Sequence, residues 1–240
     1  MPGNLSAISG GGVSGMGERF SMIPMWRGLA ITVMAAAVAV LVPRLAMAQT
    51  PGQPPASLAP LSSQTTFGFE PLPLNTTPGQ IIDEVKTGVL SHDVGFLTHH
   101  VESGADINLE MLFTPPDLLA VIGSPRPHIG ADINTSGNTS DPYFGLTWGI
   151  SVIQNLFRPG DSIFMTGSLG GAYQDGYIDN APPERKRLGS AILFRESAEL
   201  GYQVTPVISV SAILDHISNA DLGQHNAGIT SAGARVGFKF

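Results

Sequence analysis

From Ile81 onward, apolar and polar residues alternate with a period of two between turn signals, and no segment sustains a helical stripe. The alternation predicts eight strands, over 82–95, 105–114, 126–137, 141–155, 163–176, 188–205, 207–219 and 228–240. The fourth is the clearest: Phe144, Leu146, Trp148, Ile150 and Val152 stand against Gly145, Thr147, Gly149 and Ser151. In the last, Ala232, Ala234, Val236, Phe238 and Phe240 oppose Ser231, Gly233, Arg235, Gly237 and Lys239. Strands of roughly 10 to 18 residues suit tilted membrane spans better than the five or six usual in soluble sheets.

One face of these strands carries Lys86, Glu110, His128, Asp132, Arg195, Glu199, Asp215 and Arg235. That is too much charge for a soluble core, where each ion would need a partner. A small membrane barrel has the opposite arrangement, polar inside and apolar outside, and must close because no lipid-facing edge can leave backbone groups unpaired. The pattern therefore predicts an all-β fold, an eight-stranded antiparallel transmembrane β-barrel. The competing reading is a secreted β-sandwich or lipocalin-like barrel, which would hide its apolar faces inside.

The N-terminal part differs. Arg27 precedes the apolar run 28–42, and Ala46-Met47-Ala48 follows, which reads as a cleaved signal peptide over residues 1–48. Residues 49–80, rich in Pro, Ser, Thr and Gln, read as a flexible, disordered periplasmic leader, and 81–240 as the barrel. Without Glu18, Arg19, Arg27 and Arg44 the chain keeps 9 basic and 18 acidic side chains, a net charge of about −9, which argues against a nucleic-acid partner. With no Cys, the fold uses neither disulfides nor thiolate metal ligands.

The candidate chemistry lies in the seventh strand. His216 and Ser218 share its apolar face, and residues i and i+2 of a strand sit about 6 to 7 Å apart at Cα. A hydroxyl beside an imidazole that can take its proton is what an ester hydrolase needs, and polar groups on a lipid face are functional candidates by default. The alternative makes the His an interfacial anchor and the Ser a loop cap.

The run His216-Ile-Ser218-Asn219-Ala220, followed by Asn226-Ala-Gly228-Ile229 and a closing Gly-Phe-Lys-Phe240, resembles the lipid A 3-O-deacylases, PagL-type outer-membrane hydrolases of Gram-negative bacteria. The resemblance extends to Arg126-Pro-His128, Gly145-Leu-Thr147-Trp148-Gly149 and Phe194-Arg195-Glu196, segments like those of the acyloxyacyl hydrolase branch. It implies an outer-membrane esterase that removes the 3-O-linked hydroxyacyl chain of lipopolysaccharide lipid A. It implies Ser218 as nucleophile, His216 as base and Asn219 as an oxyanion helper. Neither cofactor nor metal is implied. The expected partners are lipid A, the outer membrane and its assembly machinery, and homodimers occur among such barrels. The chain departs from the pattern at Thr230, where the best-known members place the Glu of a Ser-His-Glu triad. A hairpin centred on Pro206 would set Glu196 opposite His216, which makes Glu196 the candidate replacement orienter. The other reading is a catalytically impaired or non-enzymatic barrel with a structural or lipid-binding role.

Other polar groups receive structural readings. Arg195, Glu199, Asp215 and Arg235 are expected to fill the lumen as a charge network. His99, His100 and His225 are expected in solvated outer loops. The run Glu184-Arg-Lys-Arg187 is expected in an outer loop, either solvated or facing anionic groups of the lipid.

Overall fold

The computed structural model describes residues 64–73 and 79–240. The signal peptide expected over 1–48 and most of the expected leader lie outside the described residues. The described chain forms β1 (Thr66–Pro71), β2 (Ile82–Ser91), β3 (Ala105–Phe113), β4 (Arg126–Asn134), β5 (Asp141–Gln154), β6 (Ser162–Tyr173), β7 (Ile192–Gln203), β8 (Ile208–Ser218) and β9 (Ile229–Lys239), with a 3-10 turn at Asp117–Ile122. From β2 to β9 each strand pairs antiparallel with the next, and β9 returns to pair with β2 from Ser91↔Ala232 to Glu84↔Lys239. Closure removes both sheet edges, as the two-sided pattern requires.

All eight expected strands are present, several of them shorter than the alternation suggested. Their ends pass into loops that keep hydrogen bonding without strand geometry, as where His92 N–H donates to Gly104 O and Gln174 N–H to Ala191 O. One end of the barrel carries the loops 92–104, 135–140, 174–191 and 219–228, and the other the turns 114–125, 155–161 and 204–207.

β1 is an addition that the leader expected over 49–80 did not contain. β5 has 14 residues and β4 only 9, so β4 pairs with β5 no further than Thr147. The edge that β5 leaves bare below that point is taken by β1, from Pro71↔Ile150 to Thr66↔Gln154. Leu72 follows and turns inward beneath Gly149, where an added Cβ would stand 2.4 Å from Leu72 Cδ1. Only glycine leaves that space.

The lumen is filled by ions in pairs. Glu199 is the hub: its Oε2 accepts from Lys86 Nζ at 2.7 Å, Arg235 Nη2 at 2.7 Å and Thr166 Oγ1 at 3.0 Å, while Oε1 accepts from Ser211. Arg235 also reaches Glu110 at 3.2 Å. Arg195 binds Asp215, and its guanidinium carbon lies 3.5 Å from the centre of the Tyr143 ring. At the turn end a bulge between Ile82 and Glu84 brings two successive carboxylates inward, and Arg126 Nη1 binds Asp83 at 2.9 Å and Glu84 at 2.7 Å. The expected network of Arg195, Glu199, Asp215 and Arg235 is thus present, and larger than expected. Outward, Leu109, Ile129, Phe144, Met165, Leu200 and Phe238 are exposed around the cylinder.

Replacing Glu199 with Ala would leave Lys86 and Arg235 buried without their shared anion. Breaking a buried pair from one side costs about 3–5 kcal/mol. Urea unfolding of the barrel in lipid vesicles should show a loss of this size for Glu199→Ala and a smaller one for Glu199→Gln; an unchanged midpoint would rule out Glu199 as the hub.

Candidate functional site

His216 and Ser218 lie on the outward face of β8 at its loop end, in alternation with the inward residues Asp215 and Ile217. Facing outward, they are nevertheless only 4% and 5% exposed. The backbone that covers them belongs to Gly228, just before β9. A Cβ built there would lie 2.9 Å from Ser218 Cβ and 3.0 Å from His216 Cε1. Glycine at 228 lets the backbone pass close over both side chains.

The imidazole is held from β9. His216 and Thr230 are direct cross-strand partners, and Nδ1 is 2.9 Å from Thr230 Oγ1. Thr230 is fully buried. With its hydroxyl accepting from Nδ1–H, Nε2 is left with its lone pair, the tautomer that a general base requires. Unlike a carboxylate, a hydroxyl can donate as well as accept, so it holds the ring less firmly, and it brings no negative charge to the imidazolium that forms during acyl transfer.

On the other side, β7 and β8 pair in the register expected from the Pro206 turn, so Glu196 stands directly opposite His216. The turn is held by Thr205 Oγ1, which accepts from Ile208 N–H at 3.0 Å. The carboxylate–imidazole bond expected of Glu196 is not formed: Nδ1 belongs to Thr230, and among the described residues the half-buried Glu196 carboxylate has no hydrogen-bond or ion-pair partner. Asn219 is also committed elsewhere. Its Nδ2 donates to Leu188 O at 3.1 Å and His225 O at 2.5 Å, and its Oδ1 accepts from Asp221 N–H at 3.0 Å. Both amide hydrogens therefore staple two loops together.

The loop residues around the pair are less solvated than the sequence suggested. Lys186, from the basic run 184–187, is 3% exposed and points inward. Its Nζ binds Asp93 Oδ1 at 2.6 Å, Thr98 Oγ1 at 3.0 Å and Gly228 O at 2.7 Å. Arg185 Nε pairs with Glu102 at 3.1 Å, and Arg187 and Glu184 alone of the run are exposed. Val94 N–H donates to Thr230 O at 2.7 Å, tying the first loop to the residue that holds the imidazole. Among the described residues no group of three or more His, Cys, Asp or Glu could hold a metal. The contacts of Thr230, read from the sequence only as a missing acid, of Lys186, read only as part of a basic loop run, and of Asp93, not singled out, are what the structure adds to the site. Only Thr230 left a signal, as the cross-strand partner that an antiparallel β8–β9 register gives to His216.

Fold and site define the class: a small, closed, charge-filled β-barrel that carries a histidine–serine pair at the loop end of its penultimate strand. The family model described as Lipid A 3-O-deacylase (PagL) matches residues 126–239, the span from β4 to the end of β9, so the family resemblance read from the sequence holds over the strands that carry the pair. Among solved structures, the outer membrane enzyme PagL is 17% identical with a TM-score of 0.49, over 65% of this chain and 99% of that one. Neisserial surface protein A is 11% identical with a TM-score of 0.41, over 65% of this chain and 96% of that one. The comparison with curated proteins found no match.

Behind the site, the loop end is closed by a titratable knot. His92 places Nδ1 2.8 Å from Asp106 Oδ2 and Nε2 3.3 Å from Glu102 Oε2. Burial opposes its charge, but the hydrogen bonds to Asp106 and Glu102 win and push its pKa up to about 9. Glu102 is held below the usual carboxylate range: burial opposes this, and the bonds from His92 and from the Lys186 and Thr139 N–H groups outweigh it. A raised His pKa stabilises fully below the unfolded value of about 6.5 and is lost as pH climbs toward the folded value; a depressed Glu pKa stabilises above about 4.3 and is lost as pH falls. Protection of residues 92–104 from protease in the folded barrel should therefore be greatest between about pH 5 and 6.5. It should decline steadily toward pH 9, and His92→Phe should remove that alkaline decline.

Proposed function

We propose that the protein is an outer-membrane esterase that removes the 3-O-linked hydroxyacyl chain from lipid A, with Ser218 as nucleophile and His216 as base. The observation that carries the reading is the pair itself: a serine and an oriented imidazole on the outward face, at the loop end, within the span matched by the lipid A 3-O-deacylase family model. The apolar outward belt supports a membrane setting, in which the loop end would face outward toward the lipopolysaccharide leaflet and the turn end the periplasm.

In this mechanism Ser218 Oγ attacks the ester carbonyl while His216 Nε2 takes its proton. The tetrahedral oxyanion collapses, the C–O bond to the sugar breaks, and the proton passes from His216 to the departing 3-hydroxyl. Water, deprotonated by His216, then hydrolyses the acyl-serine, releasing the 3-hydroxy fatty acid and restoring both groups. Thr230 bonds Nδ1 at rest and, when it accepts from Nδ1–H, leaves Nε2 free to act as the base. Glu196, the carboxylate across the hairpin, supplies charge to the imidazolium, and Asn219 serves the oxyanion by turning one N–H away from a loop carbonyl. No cofactor enters.

A second reading has its own support. With a hydroxyl rather than a carboxylate on Nδ1, the same barrel fits a non-enzymatic role in binding lipid. Mass spectrometry of lipid A from a host lacking such activity separates the two. Expression of the chain should remove one 3-hydroxyacyl group, Ser218→Ala should abolish the loss, and Glu196→Gln should lower the rate by about 10- to 100-fold, short of the ~10⁴ seen when a fully bonded triad acid is neutralised. Unchanged lipid A from a correctly inserted barrel would favour the lipid-binding role.

Thr230 offers a gain-of-function test. A carboxylate at this position stands where Oγ1 now meets Nδ1, so Thr230→Asp or Thr230→Glu should raise turnover at least tenfold, by about 1.4 kcal/mol or more of transition-state stabilisation. Turnover equal to wild type in both folded variants would mean that the missing acid does not limit the reaction.

A further inference from the structure

We propose that the Asp93–Lys186 ion pair is a clasp that positions the His216–Ser218 pair, making Lys186 a positioning residue for the reaction; this rests on the proposed esterase reading. The two residues come from different loops, 92–104 and 174–191, and meet beside a third segment that they do not belong to. Lys186 Nζ has three bonds: to the Asp93 carboxylate at 2.6 Å, to Thr98 Oγ1 at 3.0 Å and to the carbonyl of Gly228 at 2.7 Å. The first two fix the ammonium, and the third carries that fixity to the backbone covering Ser218 and His216.

The next residue of the first loop completes the clasp. Val94 N–H donates to the carbonyl of Thr230 at 2.7 Å, and Thr230 Oγ1 holds His216 Nδ1. Gly228 and Thr230 are thus pinned from the same loop, one through Lys186 and the other directly. Asp93 adopts φ 48°, a left-handed conformation that Asp tolerates better than most side chains, and this bend comes two residues after β2. Its second oxygen accepts from Val101 N–H at 2.7 Å and Glu102 N–H at 3.1 Å, so the carboxylate is rigid before it meets the lysine.

Such placement matters because a reacting pair misaligned by an ångström can lose two orders of magnitude in rate. A purely structural ion pair would affect how much barrel folds; a positioning one affects the turnover of the barrel that has folded.

The test compares Lys186→Met, Lys186→Arg and the charge-neutral double variant Asp93→Asn with Lys186→Met, which avoids leaving a buried carboxylate unpaired. Arg187→Gln, one residue on and exposed, is the control. Each barrel is folded in detergent and scored per folded molecule for kcat and KM on lipid A, for labelling of Ser218 by a fluorophosphonate, and for hydrogen exchange over 226–231. Both Met-containing variants should lose at least 30-fold in kcat with KM within about twofold, label correspondingly slowly and exchange faster at Ile229 and Thr230, and Arg should restore part of each. Arg187→Gln should match wild type. Wild-type labelling and exchange in the Met variants, or no labelling of the wild-type barrel, would overturn the proposal. Lysine-dependent labelling in a barrel inert toward lipid A would instead sink the substrate reading and leave the clasp standing.

Discussion

The pairing of buried charges along the barrel axis is the constraint on which the rest of the structure depends. Eight strands enclose too little space for a water column, so what points inward must be packed and neutralised by its neighbours. Glu199 joins β7 to Lys86 on β2 and Arg235 on β9, so one carboxylate ties together strands on both sides of the closing β2–β9 seam. An ion missing from such a set leaves its partners exposed to the full desolvation cost. The alternation that puts these ions inside is the same alternation that puts His216 and Ser218 outside, since inward Asp215 and Ile217 alternate with them along β8.

The site is accordingly a product of three levels. Strand period decides that His216, Ser218 and Thr230 face outward; cross-strand register decides that the imidazole meets Thr230 on one side and Glu196 on the other. The loops then decide that this outward face is covered at the loop end and exposed elsewhere. A polar pair on an apolar surface is costly unless it is hydrogen-bonded or screened. Here the screen is peptide backbone, held by an ammonium that the loops themselves keep out of solvent.

Much of this was legible from the chain because side-chain period and short turns are local. The Thr205-Pro206 connection is so short that it fixes the β7–β8 register, and with it the position of Glu196 opposite His216. The β8–β9 register was harder, because the longer loop 219–228 lets the strands slide, and so Thr230 read as a lost acid rather than as the group on Nδ1. The burial of Lys186 was not legible at all: the basic run reads as solvated or as facing anionic groups of the lipid, and its burial depends on Asp93, 93 residues away in sequence. β1 escaped for a similar reason. Thr66–Pro71 alternates only briefly, Phe67 and Phe69 against Gly68 and Glu70, within a Pro-, Ser- and Thr-rich stretch, and its place is set by the edge that β5 leaves bare because β4 is short.

That edge has a consequence for the order of events in assembly. β1 precedes the whole barrel in the chain, yet its hydrogen-bonding partner is β5, reached only after β2, β3 and β4 have been laid down. Leu72 likewise has no seat until Gly149 and Thr166, on β5 and β6, stand together. This segment therefore cannot dock before β5 and β6 have paired, and when it does it stitches the turn-end rim of the cylinder.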